Sequence, residues 1–172
     1  MSAASRADDA HLLATIVSAA QAAAAAIREH EPGIATLRWE EKTPTDFVSI
    51  VDRAAEERIA SVMAASLPDA RLLGEESAPH LVDVDRGIVI VADPLDGTTN
   101  FLHGYPAYAV SIAALVEGEL RAGVILDLPR NELFTATTGG GASRDGKPIA
   151  VSSITNPARA LLGTGFPFKR HG

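Results

Sequence analysis

At 172 residues, with 47% hydrophobic and 22% charged residues, the chain can bury one core of ordinary size, and wholesale disorder is excluded. Its 15 Lys plus Arg against 22 Asp plus Glu give a net charge of −7 with no basic run, which argues against nucleic acid and against an acidic membrane surface as partners. No cysteine is present, so disulfides and thiolate metal sites are excluded and a reducing cytoplasm is compatible.

Leu13, Ile16, Val17, Ala20, Ala24 and Ile27 recur at helical spacing, predicting a first helix from about Asp9 to Glu29 that stops before Pro32-Gly33. Asp8, Asp9 and His11 precede its alanine-rich stretch, so it reads as a helix and not as a signal peptide. No window reaches the roughly 18 consecutive apolar residues of a membrane span. A second helix is predicted from near Ser49 to Pro68, with Ala55, Ile59, Val62 and Ser66 on one stripe and Asp52, Arg53, Glu56 and Glu57 largely opposite. Ser49-x-x-Asp52 is also a capping-box-like arrangement, a structural role for Asp52 that does not exclude a chemical one. Leu72-Leu73-Gly74-Glu75-Glu76-Ser77 follows, a brief apolar stretch ending in paired acids.

The most specific segment is Asp93 to Phe101, DPLDGTTNF. The apolar run Gly87 to Ala92 before it reads as a buried strand that delivers Asp93 at its carboxyl end, and Pro94 is expected to stop the ladder. Asp96-Gly97 turns the chain, and Thr98-Thr99-Asn100 can open a short helix whose N–H groups face an anion. Two carboxylates beside an anion site make sense when cations lie between them.

Beyond this point the pattern becomes extended. Tyr108 to Val116 and Glu119 to Leu128 are predicted strands joined at Glu117-Gly118, Leu133 to Thr137 continues after Pro129-Arg130-Asn131, and Asp145-Gly146 marks another reversal. Helices followed by consecutive strands predict an α+β fold, two helices packed on a mostly antiparallel sheet. Gly139-Gly140-Gly141 lacks the Lys-Ser or Lys-Thr of a P-loop and reads as a turn, and Gly163-Thr164-Gly165 lacks the third glycine of a nucleotide fingerprint. The five histidines, His11, His30, His80, His103 and His171, have no ligand spacing and read as surface or loop residues.

DPLDGTTNF as a whole resembles the signature of the inositol monophosphatase family, the magnesium-dependent, lithium-sensitive phosphomonoesterases. Gly74-Glu75-Glu76-Ser77 resembles the family's GEES motif, and Pro44, Asp46, Val48 and Asp52 fall in register with its loop and following helix. The resemblance implies the N-terminal domain of a layered α/β sandwich over residues 1–155, with 156–172, including LLGTGFPF, opening a second domain that is otherwise absent. It further implies that Glu75, Asp93 and the Leu95 carbonyl hold one magnesium and that Asp93 and Asp96 hold a second, with a third, weaker ion reached from Glu75 through water. Thr98, hydrogen-bonded to Asp52, would orient the attacking water while Glu75 accepts its proton. Leu95, Asp96, Gly97 and Thr98 would bind the substrate phosphate. Lys42 is either a counter-charge to this acidic loop or a solvated lysine.

The implied activity is hydrolysis of a small polyol phosphate, foremost inositol monophosphate, by a cytoplasmic homodimer that binds neither nucleic acid nor membrane. A family enzyme continues with a WD-type motif whose Asp completes the metal site; here the only tryptophan, Trp39, is followed by Glu40, so weak or absent activity of this chain alone is expected. Two alternatives stay open. One is a non-catalytic interaction module retaining the fold; the other is a histidinol-phosphate or other sugar-phosphate phosphatase of the same superfamily.

Overall fold

The computed structural model describes residues 3–36, 39–43, 46–77 and 83–163. Pro44, His80, His171 and most of LLGTGFPF lie outside the described residues. The first helix, α1, spans Ala3–His30, starting earlier than predicted because the polar opening turn is helical too. The α-helix stops before Pro32-Gly33 as expected, and the chain continues in a 3-10 helix, Glu31–Thr36. Where the sequence suggested a loop, β1 (Trp39–Thr43) pairs antiparallel with β2 (Asp46–Ser49). The second helix, α2, covers Ile50–Ser66, and α3 is the short Thr98–Leu102.

Among the described residues, β3 (Arg71–Gly74), β4 (Ile88–Asp96), β5 (Ala109–Val116), β6 (Glu119–Asp127), β7 (Glu132–Thr137), β8 (Gly141–Arg144) and β9 (Lys147–Ile149) form one sheet in sequence order. Only β3 and β4 run parallel; every other neighbouring pair is antiparallel. The expected α+β architecture is therefore present. Local turn chemistry explains the order: Glu117 and Gly118 both take positive φ, as do Asp145 and Gly146, the backbone that two-residue hairpins need.

Helix α1 packs against α2 and against β5 and β6, and α2 packs against β4. Ala19, Ala20, Ala23 and Ala24 are fully buried in α1, and such small side chains let helix and sheet approach closely around Ile16, Ile27, Ile59, Ile90 and Ile112. By length and composition, Asp8–His30 could cross a membrane, at mean hydropathy 1.6, yet half of that window is buried inside the fold, as in a core helix. Asp9 near its start is buried and ion-paired with Arg121 of β6 at 2.7 Å.

Two expectations fail in α2. Asp52 and Glu56, placed on the solvent side by the sequence pattern, are both buried, whereas Ser66 of the proposed stripe is exposed and Val62 is half-buried. The buried stripe runs Asp52, Ala55, Glu56, Ile59, Met63, a helical face in which two members are acids. At the other end of the described residues, Leu161–Gly163 are exposed.

Candidate active site

Parallel pairing of β3 with β4 builds the first half of the site. Gly74 lies opposite Ala92, and the Glu75 N–H donates to the Ala92 carbonyl at 3.1 Å, so Glu75 leaves the strand beside Asp93. Pro94 does not stop the ladder as expected. β4 continues to Asp96 with a register shift against β5 between Asp93 and Asp96, which is how a strand accommodates a residue without an N–H. Within that irregularity Pro94 and Leu95 are buried while Asp93 is half-buried and Asp96 exposed. The sequence Asp-Pro-Leu-Asp thus sinks its apolar pair and leaves its acids on the accessible side.

The carboxylates interact. Burial first, and then the neighbouring Glu75 and Asp96 carboxylates, push the Asp93 pKa from 3.8 up to about 7. A side-chain hydrogen bond with Glu75 acts in the same direction, and the Leu95 N–H, which donates to Asp93 Oδ1 at 3.1 Å, opposes it. Asp93 is thus an acid held among acids.

The second half of the site is the turn into α3. Gly97 sits at φ 92°, ψ 33°, and a Cβ there would lie 2.8 Å from the Ala107 carbonyl, so both backbone and space demand glycine. Asn100 Nδ2 donates to that same carbonyl at 2.7 Å. Phe101, fully buried, meets Tyr108 edge-on with ring centroids 5.2 Å apart, and the Tyr108 hydroxyl donates to Glu31 at 3.0 Å. Burial, followed by Glu31, raises the Tyr108 pKa to about 12, so it remains a donor.

Thr98 joins the two halves to α2. Its hydroxyl donates to Asp52 Oδ1 at 2.7 Å and lies 3.0 Å from the Leu95 carbonyl oxygen. With its proton directed at Asp52, Thr98 Oγ1 can accept a hydrogen bond from a third group. The Leu95 carbonyl has a second lone pair beyond the one facing Thr98.

The structure brings Glu75, Asp93 and Asp96 into electrostatic contact and Asp52 into contact with Thr98, with Leu95 and Gly97 linking them in sequence. Among the described residues, however, no three Asp, Glu or His side chains gather into a ready-made metal cage. Magnesium does not need one: it commonly binds through one or two carboxylates and takes waters and phosphate oxygens for the rest. The hard-oxygen donor set and the mutual repulsion at Asp93 fit that ion. Among the histidines, His11 and His103 are exposed and His30 is half-buried, its Nδ1–H donating to the Ala26 carbonyl of its own helix at 2.8 Å. Lys42 lies in β1.

Sequence reasoning missed Glu56. Its buried carboxylate accepts the Glu76 N–H at 2.9 Å, immediately after Glu75. The one signal was its spacing, four residues after Asp52 and therefore on the same helical face.

Fold and site together define a class: an α+β domain in which a strand-edge acidic set adjoins a Gly-Thr turn into a helix. The sequence model of the inositol monophosphatase family matches residues 8–172, and the chain belongs to that family. It is 45% identical over 131 residues to the Nus factor SuhB of Pseudomonas aeruginosa, covering 75% of this chain and 48% of the relative. To the Nus factor SuhB of Salmonella typhimurium (strain 14028s) it is 40% identical over 158 residues, 92% of this chain and 59% of the relative. The chain thus spans about half the length of the curated relatives it matches. Among solved structures, the extragenic suppressor protein suhB of Bartonella henselae is similar with a TM-score of 0.77 at 38% identity, over 83% of this chain and 55% of the other. Inositol monophosphatase II of Staphylococcus aureus is similar with a TM-score of 0.71 at 32% identity, over 84% of this chain and 52% of the other.

Proposed function

We propose that the protein is a magnesium-dependent phosphomonoesterase acting on a small polyol phosphate, foremost an inositol monophosphate. The observation that carries this reading is the convergence of Glu75, leaving β3 hydrogen-bonded to the Ala92 carbonyl, with Asp93 and Asp96 at the end of β4 and the Thr98–Asp52 pair beside them, a crowd of acids that a divalent cation would relieve. One similar solved structure, at 30% identity and a TM-score of 0.69, is described as SaIMPase-II with inositol monophosphate bound.

In this reading Glu75, Asp93 and the Leu95 carbonyl would hold one magnesium, and Asp93 with Asp96 would hold a second. When bound, the ions lower the pKa of water and neutralise phosphoryl oxygens. The chain's own residues do the positioning. Thr98, its proton given to Asp52, accepts a hydrogen bond from the attacking water and so aims one of its lone pairs at phosphorus. Glu75, exposed beside Asp93, accepts the proton released by that water. The backbone N–H groups of Gly97 and Thr98 at the start of α3 would receive the phosphate, beside Leu95 and Asp96. Residues 1–155 act as the metal-binding unit and 156–172 would begin a further one, a reading supported by the exposure of Leu161 and Leu162 at 98% and 82%.

Phosphate release from inositol 1-phosphate, with magnesium and with EDTA, tests the activity in a protein of the relatives' full length that contains these residues. Turnover that EDTA leaves unchanged would sink the proposal. A second reading, a non-catalytic partner in an assembly, is favoured by the name Nus factor SuhB carried by several relatives. Magnesium titration separates the two, because an interaction module has no millimolar site that Asp93→Asn abolishes.

A further inference from the structure

Helix α2 reaches the site twice, and the second contact has no task in the water-positioning scheme. Asp52 and Glu56 lie one turn apart on the same buried face, 2% and 6% exposed. Asp52 holds Thr98, 46 residues away on the limb that carries Asp93 and Asp96. Glu56 holds the Glu76 N–H, 20 residues away on the limb that carries Glu75. These two limbs must meet at a fixed separation if Glu75 and Asp93 are to share an ion.

Gly74 adds a steric argument. A Cβ at this position would fall 2.5 Å from Glu56 Cδ and Oε2 and 2.7 Å from Oε1. The Glu56 carboxylate therefore occupies the space a side chain at position 74 would claim, and the backbone of β3 closes directly over it. On one side the carboxylate takes the N–H of the residue after Glu75; on the other it packs against the residue before it. Glu75 is held between two backbone positions that Glu56 touches. A buried carboxyl costs stability unless its contacts compensate, and removing an acceptor from a buried N–H costs more than replacing it with another acceptor.

Resting on the magnesium-phosphatase reading above, we propose that Glu56 is a positioning residue that fixes the Glu75 backbone relative to Asp93, so that α2 spaces the two limbs of the metal site. Glu56 need not touch metal or substrate to do this. What it supplies is a hydrogen-bond acceptor at one place, a task an amide oxygen also performs. Outer-sphere partners of this kind typically change metal affinity by about 10- to 100-fold.

The test uses Glu56→Ala, Glu56→Gln, Gly74→Ala and the Glu56→Ala/Gly74→Ala double variant of the 172-residue chain. Magnesium affinity by calorimetry should fall about tenfold or more in Glu56→Ala and in Gly74→Ala, and stay within about threefold of wild type in Glu56→Gln. Gly74→Ala should add less than about twofold once Glu56→Ala has made room, since the two changes remove one contact. A metal-free reading runs in parallel: amide exchange at Glu76 should quicken in Glu56→Ala and Gly74→Ala and stay slow in Glu56→Gln. Wild-type magnesium affinity in folded Glu56→Ala overturns the proposal and leaves the phosphatase reading intact. Loss of affinity in Glu56→Gln equal to that in Glu56→Ala, with slow Glu76 exchange retained, overturns it too, because charge and not positioning would then be at work. If the wild-type chain binds no magnesium, or Asp93→Asn binds as wild type does, the metal-site reading itself fails and this proposal falls with it.

Discussion

Helices α1 and α2 lie side by side on the sheet yet bury different chemistry. The buried face of α1 is Leu12, Ile16, Ala19, Ala20, Ala23, Ala24 and Ile27, while that of α2 is interrupted by Asp52 and Glu56. The buried polar groups of α1 find partners away from the site: Thr15 donates to the His11 carbonyl of its own helix, and Asp9 forms an ion pair with Arg121 of β6. Those of α2 contact the two segments that carry the acidic site. Both helices bury polar groups, but among the described residues those of α2 alone reach the site, so α1 supplies stability and α2 the geometry.

That contrast can be broken by mutation. The largest stability effect belongs to α1: Ile16→Ala should cost about 3 kcal/mol in chemical denaturation, by lost burial and the cavity left behind. Magnesium affinity of the folded fraction should be unchanged. Asp52→Ala in α2 should act chiefly on function. In a protein of the relatives' full length, kcat should fall about 100-fold with KM little changed, because the Thr98 proton loses its carboxylate acceptor and turns elsewhere. A stability loss larger than the activity loss would place Asp52 with the structural acids of α1.

Asp93 offers a pH test of intermediate size. Its pKa is raised in the fold from 3.8 to about 7, so its contribution to folding is fully present below about pH 4 and is lost as pH rises through about 7. In EDTA, wild type should therefore lose stability relative to Asp93→Asn across that window. The difference should be on the order of 2 kcal/mol, discounted for the partial exposure of the group. Saturating magnesium should reverse the ranking above neutral pH. A constant difference between the two proteins over the whole window would contradict the electrostatic account. The smallest effect is expected at His11, exposed on α1: His11→Ala should change stability by no more than about 0.5 kcal/mol and leave magnesium affinity alone.

Much of this was legible in the sequence where the cause is local. Glu117-Gly118 and Asp145-Gly146 set hairpins through their own φ preferences, and the apolar spacing of Leu13 to Ile27 required a helix whatever it packed on. DPLDGTTNF marked the site because its residues act within nine positions of one another. The misreadings have distant causes. Glu56 is buried because Glu76 comes to it, and Asp52 because Thr98 does, neither of which helical periodicity can register. Pro94 stays in the ladder because β5 shifts register around it. The pairing of β1 with β2 likewise arises between segments too short and too polar to announce a strand.

On the proposed reading, the limb ending in Glu75 and the limb carrying Asp93 and Asp96 would form one magnesium site held by α2. Its most direct test is thermal unfolding of the 172-residue chain above pH 7, with millimolar magnesium and with EDTA, beside Asp93→Asn. Magnesium should raise the midpoint of wild type by several degrees, as mass-action stabilisation requires, and leave that of Asp93→Asn unmoved. Equal midpoints of wild type in magnesium and EDTA, or an equal rise in both proteins, would contradict it.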